Sequence, residues 1–145
     1  MVNSSKSSSR LFAVQILYEM ELNGKSFEVI QKRFSDDSFI ELEKINNQGK
    51  PNKSYIEKLV KGALKNQKNI DDLINKNLKN WKLSGIESLV RAILRISAYE
   101  LVHEENIPKK VIFNEYIEIA KFFFDGEEPS LINAVLDAVS RNVIK

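Results

Sequence analysis

The chain has 145 residues, with 22 lysines and arginines against 20 acids, one histidine and no cysteine. That length suits one domain, which typically buries ~70% of the surface of its unfolded chain and forms a core without staples. The lack of cysteine excludes disulfides, thiolate nucleophiles and cysteine-rich zinc sites; a polar, serine-rich start and no apolar run near ~20 residues predict a cytoplasmic protein with no membrane span and no signal peptide.

The breakers are Asn23-Gly24, the polar stretch Ser35 to Ser54 around Gly49 and Pro51, Ser84-Gly85, Asn106 to Pro108, and Gly126 to Pro129. Between them the apolar spacing is helical, and no alternation is long enough for a sheet, so the chain reads as all-α. The first helix is predicted from about Ser7 to Leu22, capped by a serine, with Leu11, Val14 and Tyr18 at helical spacing. Phe27, Ile30 and Phe34 mark a short second helix. Ile56, Val60, Ala63, Gln67, Ile70 and Ile74 predict one long third helix, with Lys58, Lys61, Lys65 and Lys68 as a basic stripe on another face.

After Trp81 the helices become apolar over much of their circumference. In the fourth, Ile86, Leu89, Ile93 and Ile96 make one face and Val90, Leu94 and Leu101 another, leaving a strip of Glu87, Arg91 and Arg95. Such a helix must be sandwiched between others. Pro108 suits the first turn of the fifth helix and Pro129 that of the sixth, where a missing N–H costs nothing. The expected architecture is a compact bundle of about six or seven helices, one domain over residues 1–145, with an N-terminal helical part (1–80) packed on a C-terminal one (81–145).

Charge is unevenly spread. Lys50 to Lys82 holds nine lysines against Glu57, Asp71 and Asp72, whereas Glu100 to Glu128 holds eight acids against Lys109, Lys110 and Lys121. This favours one face that attracts phosphate and one that does not, although charge runs are also ordinary solvated helix faces. Candidates for catalysis are thin. His103 is the only histidine and sits where its charged form suits a helix C-terminus. Glu115 and Glu118, one turn apart, read more readily as a polar face than as an acid–base pair. The glycines are isolated, so there is no phosphate-cradling loop, and no cofactor or metal is expected. Arg91, Arg95, Glu100, Asn114, Asn133 and Asp137 interrupt apolar helices and predict an internal polar network, with Arg95 meeting a carboxylate of the fifth helix.

The words RLFAVQILYEMEL (Arg10 to Leu22), ILRISAYEL (Ile93 to Leu101), IPKKVIFNEYIEIAKFF (Ile107 to Phe123) and LINAVLD (Leu131 to Asp137) resemble the NusB family. That resemblance implies a non-catalytic antitermination factor that binds single-stranded boxA-like RNA together with the ribosomal protein NusE and joins the antitermination complex on RNA polymerase. It places RNA on an N-terminal arm and the first helix, here Lys6, Arg10 and Tyr18, and on the loop Phe122 to Ser130, here Phe122 and Glu127. Cations would neutralise phosphates and aromatic rings would stack on unpaired bases. Where the family has an arginine-rich arm, this chain has Lys6 among serines, which predicts reliance on the partner for RNA affinity.

The NusE surface implied by the resemblance includes Glu87 and Arg91, with Val90 standing where an acid is common. A homodimer through the arm and first helix would mask the RNA site. Two other readings stay open: an RNA-binding module of the kind found in ribosomal RNA cytosine methyltransferases, and a helical protein-interaction scaffold.

Overall fold

The computed structural model describes residues 4–33, 51–78 and 82–143. Among them are seven α-helices, one 3-10 turn and no strand. Helix α1 is Ser4–Asn23, α2 Phe27–Arg33, α3 Lys53–Lys65, α4 Gln67–Lys76, α5 Ser88–His103, α6 Lys109–Phe123 and α7 Glu128–Val143; the 3-10 turn Leu83–Gly85 precedes α5. The all-α expectation holds. Phe34, most of the polar stretch before Pro51, and Trp81 lie outside the described residues.

Local chemistry sets the boundaries. Helix α1 stops at Asn23-Gly24, where Gly24 takes φ 64° and its N–H donates to the Met20 carbonyl at 2.9 Å, a left-handed cap that a side chain would strain. Asn52 caps α3 by accepting from the Tyr55 N–H at 3.1 Å. The Asn52 N–H donates to the Ser9 hydroxyl at 2.7 Å, so the start of α3 is fastened to α1. Pro108 flanks α6 rather than lying within its first turn, and its carbonyl accepts from Val111 at 3.0 Å.

The single long third helix of the sequence reading is two helices. At Asn66 the backbone turns to φ −106°, ψ 15°, and both its N–H (3.1 Å) and its side-chain Nδ2 (2.8 Å) donate to the Gly62 carbonyl. A side chain that competes for a helix carbonyl ends the helix there. The apolar stripe nevertheless persists, since Ile56, Val60, Ala63, Ile70 and Ile74 are all buried. Periodicity alone does not register a one-residue interruption.

Helix α5 lies at the centre, packed against α1, α3, α4, α6 and α7, which is why it is apolar on two faces. Ile93, Leu94, Ile96, Ala98 and Leu101 are buried there. The core is one cluster that runs from Leu11 to Val139. Helix α3 reaches α5 through Gly62: a Cβ at that position would run into the Tyr99 ring. No described helix is long and apolar enough to cross a membrane.

Candidate nucleic-acid interface

The start of α1 is not an exposed arm. Ser7, Ser8, Ser9 and Arg10 are helical and buried. Arg10, which the resemblance placed against phosphate, is only 2% exposed and faces the interior. Its Nε and Nη2 donate to the Glu100 carboxylate at 2.9 and 2.7 Å, and its Nη1 donates to Glu115 Oε1 at 2.8 Å. A guanidinium so engaged has no fork left for RNA.

Glu100 also accepts from the Tyr55 and Tyr116 hydroxyls, each at 2.6 Å. The Ser7 hydroxyl donates to the same Glu115 oxygen that Arg10 uses. One polar knot therefore joins α1, α3, α5 and α6. Burial pushes the Glu100 carboxyl up, yet the hydrogen bonds and charge of Arg10, with both hydroxyls, hold it below the ordinary glutamate range. Burial and the Glu100 charge push the Tyr55 and Tyr116 hydroxyls well above the ordinary phenol range. Burial is the largest single influence on Arg10 and lowers its pKa, but the Glu100 hydrogen bond together with the charge interactions of Tyr116, Glu100 and Tyr55 makes the net shift upward.

A second cluster lies nearer the surface. Arg91 donates through Nε to Glu21 Oε1 at 3.0 Å, and through Nη1 to the Ile86 carbonyl at 2.6 Å. Arg95 makes a two-pronged contact with Asp71 at 2.9 and 3.0 Å and also reaches Glu21 at 3.2 Å. The carboxylate predicted for Arg95 from the fifth helix is thus replaced by Asp71 of α4 and Glu21 of α1, because the charged strip of α5 faces those helices. Glu87, the first member of that strip, is exposed, and its carboxylate accepts from the Leu89 N–H at 2.9 Å as the cap of α5. Asn114, Asn133 and Asp137, expected in an interior network, lie on the exposed faces of their helices.

The remaining candidates sit at the surface. Lys6 Nζ lies 5.1 Å from the Tyr55 ring centroid, and Lys58 Nζ lies 5.9 Å from it. Tyr18 is half-buried against the core. Phe122 is 47% exposed and packs edge-on against Phe123, with centroids 5.0 Å apart. Glu127 is exposed just before α7. In the lysine stripe, Lys58 pairs with Glu104 at 2.6 Å and Lys61 with Glu57 at 2.8 Å, whereas Lys65 and Lys68 are exposed with no ion pair among the described residues. His103 closes α5, its ring stacked on Tyr99 and its Nδ1 3.1 Å from the Tyr99 carbonyl. Among the described residues no three potential metal ligands converge.

Residues 7–141 match the model of the NusB family. The chain belongs to the NusB family. It is 36% identical over 138 residues to the transcription antitermination protein NusB of Caulobacter vibrioides, covering 94% of this chain and 93% of the relative. It is 38% identical over 141 residues to that of Sinorhizobium fredii, covering 97% and 88%. The solved T. maritima NusB superposes with a TM-score of 0.79 at 26% identity, covering 97% of this chain and 93% of that one. A chain from the crystal structure of antitermination factors NusB and NusE with dsRNA gives a TM-score of 0.77, covering 98% and 99%; at 23% identity this likeness is one of fold.

Within the NusB fold, sequence reasoning missed Tyr55, Tyr116, Ser7, Glu21 and Asp71 as network members, and read Glu115 as part of a polar face. One signal was present: a lone arginine at the head of an apolar helix and a lone glutamate inside ISAYEL are each costly to bury alone and stable when buried together.

Proposed function

We propose that this chain is a transcription antitermination factor that, with NusE, binds boxA-like single-stranded RNA in nascent ribosomal RNA and joins the antitermination complex on RNA polymerase. The observation that carries this reading is near-full-length similarity, at 36% and 38% identity, to proteins named for transcription antitermination. The geometry agrees with a binding surface rather than a reaction centre: a rigid helical platform with cations and aromatic rings at its edge.

On this reading Lys6 neutralises phosphate, while Tyr18 and Phe122 offer ring faces or edges to unpaired bases. Glu127 repels phosphate and limits the RNA path. Glu87 is the exposed contact for NusE, and Arg91, tied to Glu21, steadies the surface behind it. Arg10 is left out of direct contact because its donors are engaged.

Fluorescence anisotropy of labelled boxA RNA, with and without NusE, tests the reading. Binding is expected to be much tighter with NusE, and Lys6→Ala is expected to lower the salt slope of log K by ~0.7. Equal affinity for boxA and scrambled RNA in the presence of NusE would remove the assignment. Glu87→Lys is expected to weaken NusE capture; unchanged capture would remove Glu87 from the partner surface.

A further inference from the structure

We propose that Glu115 and Arg10 are positioning residues for RNA binding: without touching RNA, they lock the first turns of α1 into a helix so that Lys6 is held at the Tyr55 ring, which Lys58 also approaches. The proposal rests on the RNA-binding reading above and adds to it a means of preorganisation.

A serine-rich helix start is weak on its own. Serine has modest helix propensity and competes with the backbone for hydrogen bonds, and the first N–H groups of a helix have no intrahelical acceptor. No acid stands in the first turn of α1 to favour its dipole. This segment should fray, yet it is helical from Ser4.

What holds it is tertiary. Glu115 Oε1 accepts from both Ser7 and Arg10, gripping two points one turn apart on the same face of α1. Ser9 supplies the acceptor for Asn52. Arg10 is itself held from the other side by Glu100. The consequence falls on Lys6, next to Ser7, whose ammonium is set 5.1 Å from the Tyr55 centroid. Lys58, 5.9 Å from that centroid, brings a second cation to the same ring. A cation that is already placed loses less conformational freedom when phosphate arrives.

Glu115 separates positioning from simple charge, because the two predict opposite signs. Removing an acid from a phosphate-binding surface tightens RNA binding by Coulomb's law. Removing an anchor weakens it. Glu115→Ala leaves Arg10 paired with Glu100, so the fold is retained, and a thermal melt verifies this. The expected result, measured in the full chain with NusE and labelled boxA RNA, is roughly tenfold weaker binding, a fraction of what the two charge-assisted hydrogen bonds lost with Glu115 contribute.

Amide exchange of Ser8, Ser9, Arg10 and Leu11, the first N–H groups of α1 with intrahelical acceptors, is expected to quicken by about tenfold in the free protein. Glu115→Gln keeps an acceptor oxygen but loses the charge, so it is expected to stay near the parent in exchange and to bind RNA as Glu118→Ala does. Glu118→Ala removes the same charge from the exposed side of α6, where Glu118 pairs with Lys121, and is expected to leave the exchange of α1 unchanged.

Unchanged exchange at Ser8 to Leu11 in Glu115→Ala would overturn the proposal, as would RNA binding that tightens as much as in Glu118→Ala. If the parent chain with NusE fails to bind boxA RNA at all, the functional reading falls, whereas the exchange measurement still decides the anchoring.

Discussion

Two arginine–carboxylate clusters tie α1 to α5, one inside the protein and one at its surface, and they are made of the same chemistry. In the interior knot Arg10 and Glu100 are 2% and 0% exposed; in the outer strap Arg91 and Glu21 are 13% and 34% exposed. Each interior group has lost its water and depends wholly on its partners, so the knot specifies how four helices meet. The strap keeps water and salt as competitors, and its groups survive the loss of a partner. Burial decides which cluster governs the fold.

The largest effect should come from stranding the interior carboxylates. Arg10→Met leaves Glu100 without its counter-ion and is expected to cost about 3–5 kcal/mol in urea unfolding. A loss below ~1 kcal/mol, of the kind surface pairs give, would erase the distinction between the clusters.

Next comes Tyr116→Phe, which removes one of the two hydroxyls on Glu100 and is expected to cost about 1–2 kcal/mol. The same hydroxyls predict an alkaline limb. Tyr55 and Tyr116 keep their protons in the native state and release them near pH ~10 once unfolded, so stability falls as pH rises above that value. Ultraviolet titration of the native protein should show these two of the four tyrosines ionising only on unfolding. Four tyrosines titrating together near pH ~10 would contradict the knot.

A smaller loss, about 1 kcal/mol, is expected for Arg91→Ala, and it should shrink in ~1 M salt, where the Debye length is ~3 Å. Arg10→Met should respond far less to salt. The smallest effect belongs to Glu21→Gln. Its hydrogen bond from Arg91, aided by both arginine charges and opposed by partial burial, holds the Glu21 carboxyl below the ordinary range. The stabilisation is therefore complete above about pH 4.3 and is lost as pH falls through the depressed native value. Melting curves from about pH 7 downward should show a slightly flatter acid limb in Glu21→Gln; an unaltered limb would mean that the strap does not hold this carboxylate.

The helices were legible because core faces write themselves as apolar spacing, and the Glu87, Arg91 and Arg95 strip was visible as a charged line on a buried helix. The Asn66 break was not, because the stripe continues across it. Arg95 drew the wrong partner, since spacing along one helix does not say which neighbour its strip will face. Arg10 was assigned to RNA by family likeness, although the interior accepts an arginine only if carboxylates meet it, and ISAYEL contained one. Glu115 and Glu118 looked like one polar face; in the fold one turns towards Ser7 and Arg10 while the other meets solvent. The surface candidates Lys6, Tyr18, Phe122 and Glu127 come from likeness, and RNA titration is what tests them.

The sequence separations within the knot set an order of events during synthesis. Arg10 meets Glu100 across 90 positions and Glu115 across 105. As the chain leaves the ribosome, the guanidinium waits in water until α5 and α6 have been made. The start of α1, made before α5 and α6, is thus among the last parts to be secured, and long-range closure of this kind slows folding. Any nascent chain that ends before Glu115 lacks the carboxylate that grips Ser7 and Arg10 together.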